Sequence, residues 1–161
     1  MSAQAAFRTK ILFDTNQLLQ RAKSEEEILS QTASQLMKLL NRSLIVYPEQ
    51  NGDLGSEQVF WVDGKTVQNI FSASEERDAA NWTFANKKRS GAGTDSYPDA
   101  KGLYLALRTG GGVFGVIGID LSEKPLDAFE NSVLLSILGE GALAIENRRN
   151  ALEKEQAALQ A

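Results

Sequence analysis

The stretch from Leu103 to Asp120, LYLALRTGGGVFGVIGID, contains two apolar segments separated by Thr109-Gly110-Gly111-Gly112. Tandem glycines adopt positive φ angles at low cost, so this pattern predicts a β-hairpin. One face of the hairpin carries aliphatic side chains: Leu103, Leu105, Leu107, Val113, Ile117 and Ile119. The other carries Tyr104, Ala106, Arg108, Phe114, Val116 and Gly118. Because both faces are largely apolar, we expect a central hairpin that is covered on both sides.

The composition of the chain excludes several kinds of chemistry. Its 161 residues include neither Cys nor His, and the net charge is −4. A Ser-His-Asp triad, a Cys nucleophile, a zinc site with His or Cys ligands, a His-ligated haem and an iron–sulfur cluster are therefore excluded. No motif places paired carboxylates or a calcium loop, so we predict no catalytic residue, no metal site and no cofactor.

The charge and hydropathy patterns indicate where the chain works. The net acidic charge argues against a nucleic-acid partner. No apolar run reaches about 18 residues and no signal-peptide pattern is present. We therefore expect no direct membrane insertion of this segment and a cytoplasmic location, with which the absence of cysteine is consistent.

The first third of the chain predicts two helices. The Ala5–Ala22 segment contains good helix formers, and Leu12, Thr15, Leu19 and Ala22 recur at the spacing of a two-helix contact. That contact is either with the rest of the domain or with a second copy. Ser24 and Glu27 form a capping box for the next helix, whose apolar stripe ends at an αL cap, Asn41. The stripe consists of Ile28, Leu29, Ala33, Leu36, Met37 and Leu40.

Antiparallel strands should follow. Ser43–Tyr47 reads as a strand stopped by Pro48, with a hairpin turn at Gln50–Asp53 and a return strand at Gln58–Val62. Asp63-Gly64 is a second turn signal, which predicts a third strand over Lys65–Ile70. Antiparallel meanders combined with helices indicate an α+β fold.

The middle of the chain predicts a third helix and a glycine-rich loop. Ser72 and Glu75 form a second capping box, and the helix should run to about Lys87 with apolar positions at Ala79, Ala80, Trp82, Thr83 and Phe84. Lys87-Lys88-Arg89 is either a solvated helix end or a functional cluster. The Ser90–Pro98 loop lacks the spacing of both phosphate-binding glycine motifs. Its backbone N–H groups and Arg89 would suit a small polar ligand.

A long helix should begin at Leu126 and end the chain. Phe129, Val133 and Ile137 form its first stripe, and Leu138, Ile145, Leu152 and Leu159 then repeat every seven residues. A narrow heptad seam on a polar helix predicts a coiled coil, and a frayed tail is the alternative. We expect this helix to project beyond its core, leaving Leu152 and Leu159 without partners in their own domain.

Several of these segments resemble a known family. The order of elements and the sequence from Gly115 to Ile119, followed by Ala144-Ile145-Glu146-Asn147, are similar to a GAF domain. The string Trp82-Thr83-Phe84-Ala85-Asn86, then Arg89, Gly91 to Asp95, Pro98 and Leu103 to Leu107, resembles the GAF segment of the Kdp-type potassium-sensing histidine kinases. The resemblance covers residues 10 to 150. It implies one GAF-like domain over residues 1–161, with an entry helix at about 5–22, a core at about 23–146 and an exit helix to about 159.

The resemblance also implies a function. The domain would be a cytoplasmic, non-catalytic regulatory part of a two-component sensor of potassium limitation or osmotic stress, in a parent kinase of the bacterial inner membrane. Its partners would be the transmitter module of the same chain and a second copy, in a homodimer whose seam includes Leu12, Leu19, Leu138, Ile145, Leu152 and Leu159. A ligand of unnamed chemistry would bind at Trp82, Phe84, Arg89, Thr94, Asp95 and Tyr104. Alternatively, Trp82 and Phe84 are ordinary core residues and Asp95 caps a turn.

Three other functions belong to proteins with the predicted fold. The chain would otherwise be a free-standing small-molecule-binding GAF protein, or a purely structural dimerisation module with a collapsed cavity. An enzyme of the methionine sulfoxide reductase type shares the fold but needs a nucleophilic cysteine, which this chain lacks.

Overall fold

The computed structural model describes residues 2–62 and 69–160, which form an antiparallel sheet with helices on both faces. The helices are α1 (Ala3–Arg21), α2 (Glu25–Leu40), α3 (Ser74–Asn86) and α4 (Ala128–Gln160), with a short 3-10 helix at Ile70–Ser72. The strands are β1 (Leu44–Gln50), β2 (Asp53–Leu54), β3 (Gln58–Phe60), β4 (Ser90–Gly91), β5 (Gly102–Thr109) and β6 (Gly112–Asp120). Their order is β2-β1-β6-β5-β4, and β3 also pairs with β1. The predicted α+β class with a central antiparallel sheet is confirmed.

The central hairpin is β5–β6, as predicted, with two differences in detail. Its positive φ angle lies at Gly112 (+150°), after the Gly110-Gly111 turn rather than within it. A register shift next to Leu107 pairs Arg108 with Val113 and leaves Phe114 as an extra residue. This bulge turns the Phe114 ring toward the face that α4 covers, whereas simple alternation places it on the opposite face.

One face of the sheet is covered by α1, α2 and α4. Residues from all three helices and the sheet form a single buried cluster that includes Leu19, Leu36, Leu107, Ile117 and Ile137. The predicted stripe of α1 packs here, on its own domain, because Thr15 and Leu19 are buried and Leu12 and Ala22 are partly buried against this cluster. Helices α2 and α4 approach closely at Gly141, where a Cβ atom would come within 2.7 Å of the Thr32 hydroxyl.

The predicted caps of α2 are confirmed. The Glu27 N–H donates to Ser24 Oγ at 3.1 Å, and the Glu27 carboxylate accepts from the Lys23 N–H at 2.8 Å. Asn41 ends the helix in the left-handed conformation, with φ of 52°. Local capping chemistry therefore fixes both ends of this helix.

The prediction that Pro48 stops the first strand is wrong, because β1 runs through it to Gln50. On its outer edge β1 pairs with β3 up to Val46 and with β2 from Glu49, so Pro48 lies in the gap between the two partners. The Pro48 carbonyl faces that gap and accepts from the Gly55 N–H at 2.7 Å. The N–H that proline lacks would face the same gap, where no ladder bond is lost.

The predicted capping box of α3 is also wrong. The helix begins at Ser74 after Ala73, which makes no side-chain cap, and the Ser72 hydroxyl donates instead to the Asn69 carbonyl at 2.9 Å. The predicted turn at Asp63-Gly64 and most of the Lys65–Ile70 strand lie outside the described residues. At the end of that segment, Ile70 belongs to the 3-10 helix rather than to a strand.

Helix α4 is long and apolar enough to pass a simple test for a membrane span, with a mean hydropathy of 1.3 in its most apolar window. Helices in the core of a globular domain pass the same test. Here Val133, Leu134, Ile137, Ala142 and Ile145 are buried against the sheet and the neighbouring helices. Its apolar character is therefore explained by its position in the core.

Candidate functional site

At the centre of the sheet face that α3 covers, side chains of the sheet and of α3 fill the available space. Tyr47 and Tyr104 are fully buried there, in a cluster with Ile45, Ala80 and Val116. Gly118 makes room for the ring of Tyr104, since a Cβ atom at Gly118 would clash with the ring. In the described residues, a hollow of about 240 Å³ lies at the margin of this face, beside the start of α3.

Glu76 is a buried carboxylate at this margin, only 3% exposed, in the first turn of α3. Its two oxygens accept hydrogen bonds from the Lys101 N–H at 2.9 Å, the Gly102 N–H at 3.0 Å and the Tyr104 hydroxyl at 2.6 Å. Burial, and then the hydrogen bond to Glu76, raise the pKa of Tyr104 far above its ordinary value. The Glu76 contacts attach α3 to the start of β5.

Tyr47 forms a second polar contact on the same face. The Arg77 guanidinium lies 5.1 Å from the centre of its ring and pairs with Glu57 at 3.0 Å. Burial, and next the negative charge of Glu57, raise the pKa of Tyr47 to about 12. Both tyrosines therefore keep their protons at neutral pH. Tyr104 is a packed, hydrogen-bonding part of the core, and Tyr47 is packed beneath the Arg77 guanidinium.

In the described residues, the six predicted ligand residues fall into two groups, and Arg89 and Thr94 of the second group line a hollow of about 390 Å³. Trp82 and Phe84 are half-buried on the flanks of α3, because the side of α3 that faces the sheet carries Ala79, Ala80 and Thr83. Tyr104 lies in the core beneath α3 with its hydroxyl bound to Glu76. These aromatic side chains contribute to packing on the α3 face.

The other three predicted residues lie on or next to the glycine-rich loop. The Thr94 hydroxyl is 2.8 Å from the Gly91 carbonyl oxygen and 2.9 Å from the Ser96 carbonyl oxygen. Both contacts lie within the loop and stabilise its conformation. Asp95 is exposed. Arg89 is also exposed and donates to Asn131 Oδ1 of α4 at 2.8 Å. Within the described part of the chain, no group of three or more acidic side chains is placed to hold a metal ion.

Residues that bind the exit helix to the body form the second candidate site. Arg149 of α4 donates to both carboxylate oxygens of Glu25 at 2.9 Å and to Glu49 at 2.9 Å, and it lies 5.0 Å from the ring centre of Phe114. These hydrogen bonds, first that to Glu25, raise the pKa of Arg149. One side chain therefore joins α4 to the start of α2 and the end of β1.

Further contacts fix the two terminal helices. Arg8 of α1 donates to the Ser136 hydroxyl of α4 at 2.8 Å, and the Thr109 hydroxyl at the hairpin tip donates to Glu146. A crevice of about 570 Å³ lies between α1 and α4, with Leu19 and Leu143 among its walls. Burial in this region raises the pKa of Glu140.

The sequence analysis missed Glu76 and Arg149. A signal existed for Glu76, which shares one helical face with Ala79, Ala80 and Thr83 and is therefore a carboxylate on a buried stripe. No local signal existed for Arg149, whose carboxylate partners are 124 and 100 residues away in the chain.

Comparison with known proteins gives a consistent result. No family model matches the chain. It is 32% identical over 150 residues to the sensor protein KdpD of Clostridium acetobutylicum, a match that covers 92% of this chain and 16% of that protein. The chain thus spans about one-sixth of the length of the curated relative it matches.

Solved structures match over nearly the whole chain. The GAF domain of the potassium sensor histidine kinase KdpD from Escherichia coli superposes with a TM-score of 0.65 at 22% identity, covering 94% of this chain and 99% of that one. The GAF domain of a phosphoenolpyruvate-protein phosphotransferase from Acinetobacter gives 0.63 at 12% identity, covering 93% and 97%.

These matches and the sheet with its two helical layers define the chain as a GAF domain. The two solved GAF domains are only 22% and 12% identical to this chain, so the fold alone does not narrow the class. The sequence match does so: the chain is a Kdp-type GAF domain, 32% identical to a segment of the sensor protein KdpD.

Proposed function

We propose that the domain is the cytoplasmic regulatory part of a sensor histidine kinase in the bacterial inner membrane, and that it relays potassium limitation or osmotic stress to the transmitter module. The relay uses α1 as the entry and α4 as the exit. Support comes from the similarity to the sensor protein KdpD and from the terminal helices themselves. The domain acts without chemistry of its own, as a homodimer.

The end of α4 carries this proposal. The helix has 33 residues and is therefore about 50 Å long at about 1.5 Å per residue. Its heptad positions Leu138 and Ile145 are buried in the domain, whereas Leu152 is 43% exposed and Leu159 is 80% exposed. Exposed leucines at heptad spacing on a projecting helix are typical of a surface that a second helix covers.

The contacts of α1 and α4 provide the coupling. Arg8 joins α1 to Ser136, and Arg149 joins α4 to Glu25 and Glu49. A displacement of α1, or a change in the sheet, therefore acts on α4 through side chains in direct contact. Such a displacement becomes a signal when it favours one of two arrangements of the dimer.

The dimer of the isolated domain should be weak. The buried seam residues Leu19, Leu138 and Ile145 are already used within one copy, which leaves Leu152 and Leu159 as the heptad contacts for a partner. Ordering a short helix end consumes much of the gain from two leucines. The full kinase would supply the remaining contacts.

Analytical ultracentrifugation across a range of protein concentrations tests the proposal. We expect a reversible dimer for the wild type and a monomer for the double variant Leu152→Lys and Leu159→Lys. Leu135→Lys is the matched control, because Leu135 is also an exposed leucine of α4 (49%) but lies outside the heptad seam. A strict monomer at high concentration, or a dimer that tolerates the double change, would remove this seam from the mechanism.

A further inference from the structure

A groove of about 260 Å³ lies on the α4 side of the sheet, bordered by the loop after α3, the edge of β5 and helix α4. Four cationic side chains line it: Lys87, Lys88, Arg89 and Arg108. Apolar groups from Leu105 and Leu138 form part of its wall. We call it the cationic groove. None of its lining residues belongs to the polar contacts around Glu76.

The loop that supplies three of the cations has a defined conformation. Lys87 adopts the left-handed conformation, with φ of 59°, and its N–H caps the Thr83 carbonyl at 2.8 Å. Ser90, just beyond the cations, donates to the Ala79 carbonyl at 2.7 Å. Arg89 is held across to α4 through Asn131. The cations are therefore placed by a fixed turn rather than by a free tail.

These cations differ in their partners from three arginines elsewhere in the fold. Arg42, Arg77 and Arg149 each pair with a carboxylate. In residues 2–62 and 69–160, the side chains of Lys87, Lys88 and Arg108 pair with none. On a chain whose net charge is −4, such a group of uncompensated positive charges produces a local field that favours an anion.

The groove also has room and an open edge. Strand β4 pairs only with Leu103 and Tyr104, so β5 beyond Tyr104 has no strand partner on this side in the described residues. A Cβ atom built at Gly139 would meet nothing within 4 Å, which leaves the α4 wall open at that point. The volume is below the range of about 300–1,000 Å³ that suits drug-sized ligands. A compact anion fits better than an extended one.

We propose that the cationic groove binds a compact phosphate-bearing anion. Arginine forks match phosphate oxygens, lysine supplies point charge, and the apolar wall lowers the local dielectric. Bound there, the anion would bridge the loop after α3 to the buried half of α4. Its effect on signalling rests on the proposed function, but the binding itself does not.

Isothermal titration calorimetry at low ionic strength tests the proposal, with inorganic pyrophosphate as the probe. The test variant is Lys88→Gln with Arg108→Gln, whose side chains are exposed and make no hydrogen bond in the described part of the chain. The control is Lys10→Gln with Lys154→Gln, two exposed cations on α1 and α4 outside the groove, which changes net charge equally. We expect saturable binding that weakens about tenfold or more in the test variant and stays within about twofold in the control.

A second arm separates a soluble ligand from a lipid headgroup. Flotation with phosphatidylcholine vesicles, with and without phosphatidylglycerol, is carried out on the same proteins. If the test variant loses pyrophosphate binding and the control keeps it, the ligand is a soluble phosphate. If the test variant instead loses binding to phosphatidylglycerol vesicles and the control keeps it, the ligand is a lipid headgroup. Thermal unfolding of each variant confirms that the fold is intact.

Two results would overturn the proposal. One is the absence of saturable binding to either probe. The other is an equal loss in the test and control variants, which would show that bulk charge and not this groove attracts the anion. In both cases the lysines and Arg108 would serve only to protect the open edge of β5 from pairing with another chain.

Discussion

One heptad pattern runs along α4, and its residues are buried within the body of the domain but exposed on the projecting end of the helix. Leu138 and Ile145 pack between the sheet and α2, whereas Leu152 and Leu159, on the same seam, face solvent. The difference arises because α2 and the sheet end before α4 does. Heptad spacing thus identifies a helix face that needs a partner, and only the fold shows which part of that face already has one.

Core truncation should give the largest contrast between the two regions. Ile145→Ala removes a fully buried side chain, and we expect the free energy of unfolding to fall by about 2–5 kcal/mol. Leu159→Ala, on the projecting end, should change it by no more than about 0.5 kcal/mol in the monomer. Urea unfolding at a protein concentration below the dimer range measures both. Similar losses of unfolding free energy for the two variants would mean that the seam is not divided into a buried part and an exposed part.

Alkaline pH should weaken the body and leave the projecting end unaffected. Above about pH 10 the unfolded chain loses its tyrosine protons, whereas the folded domain keeps that of Tyr104 because its pKa is raised. The unfolded state then binds fewer protons, so the free energy of unfolding falls as pH rises, by about 1.4 kcal/mol per pH unit for each such tyrosine. The contribution of Tyr47 ends near its pKa of about 12.

Urea unfolding at several pH values above 9 or so, the onset set by the ordinary tyrosine pKa, measures this slope. Tyr104→Phe should make it shallower, and Tyr97→Phe, outside the Glu76 site, is the control. At neutral pH, Tyr104→Phe also removes one of the three hydrogen bonds to Glu76 and should cost about 1–2 kcal/mol. An unchanged alkaline slope in Tyr104→Phe would contradict the assignment.

Loss of the Arg149 contacts should have a smaller effect than core truncation, located at the boundary between the two regions. Arg149→Met keeps most of the aliphatic length but leaves Glu25 and Glu49 without their partner, and we expect a loss of about 1–2 kcal/mol because the site is partly exposed. Arg148→Met is the matched neighbour. Hydrogen exchange should show faster opening of α4 around residue 149 in Arg149→Met alone. Equal protection in both variants would exclude Arg149 as the link between α4 and the body.

Features with local signals were predictable from the sequence. The caps of α2, at Ser24 and Asn41, depend on residues within one turn, and the β5–β6 hairpin depends on alternation across a glycine turn. The likeness of the Trp82–Leu107 segment to Kdp-type GAF domains was also recognisable, because it lies in one continuous stretch of sequence. These features need no knowledge of distant parts of the chain.

Features that depend on distant partners were not predictable. Pro48 continues a strand because two different strands happen to flank it, and Phe114 changes face because of a bulge opposite Arg108. The structure places Trp82 and Phe84 on the flanks of α3, because its sheet-facing positions are small residues, whereas Arg89 and Thr94 line a separate hollow. The cationic groove draws on a loop, a strand and a helix, and each contributes only part of the pattern.

The direction in which the heptad seam of α4 faces around the helix axis provides the most direct test of the proposed relay. In the full-length protein that carries this domain, residues are inserted between Glu155 and Gln156, in the exposed part of the helix. Insertion of one whole heptad preserves the seam, whereas insertion of two residues rotates it by about 200°, away from its partner. Autophosphorylation under low and high potassium is the readout. We expect regulation to survive the whole-heptad insertion and to be lost with the two-residue insertion, and equal regulation in both proteins would contradict the proposed relay.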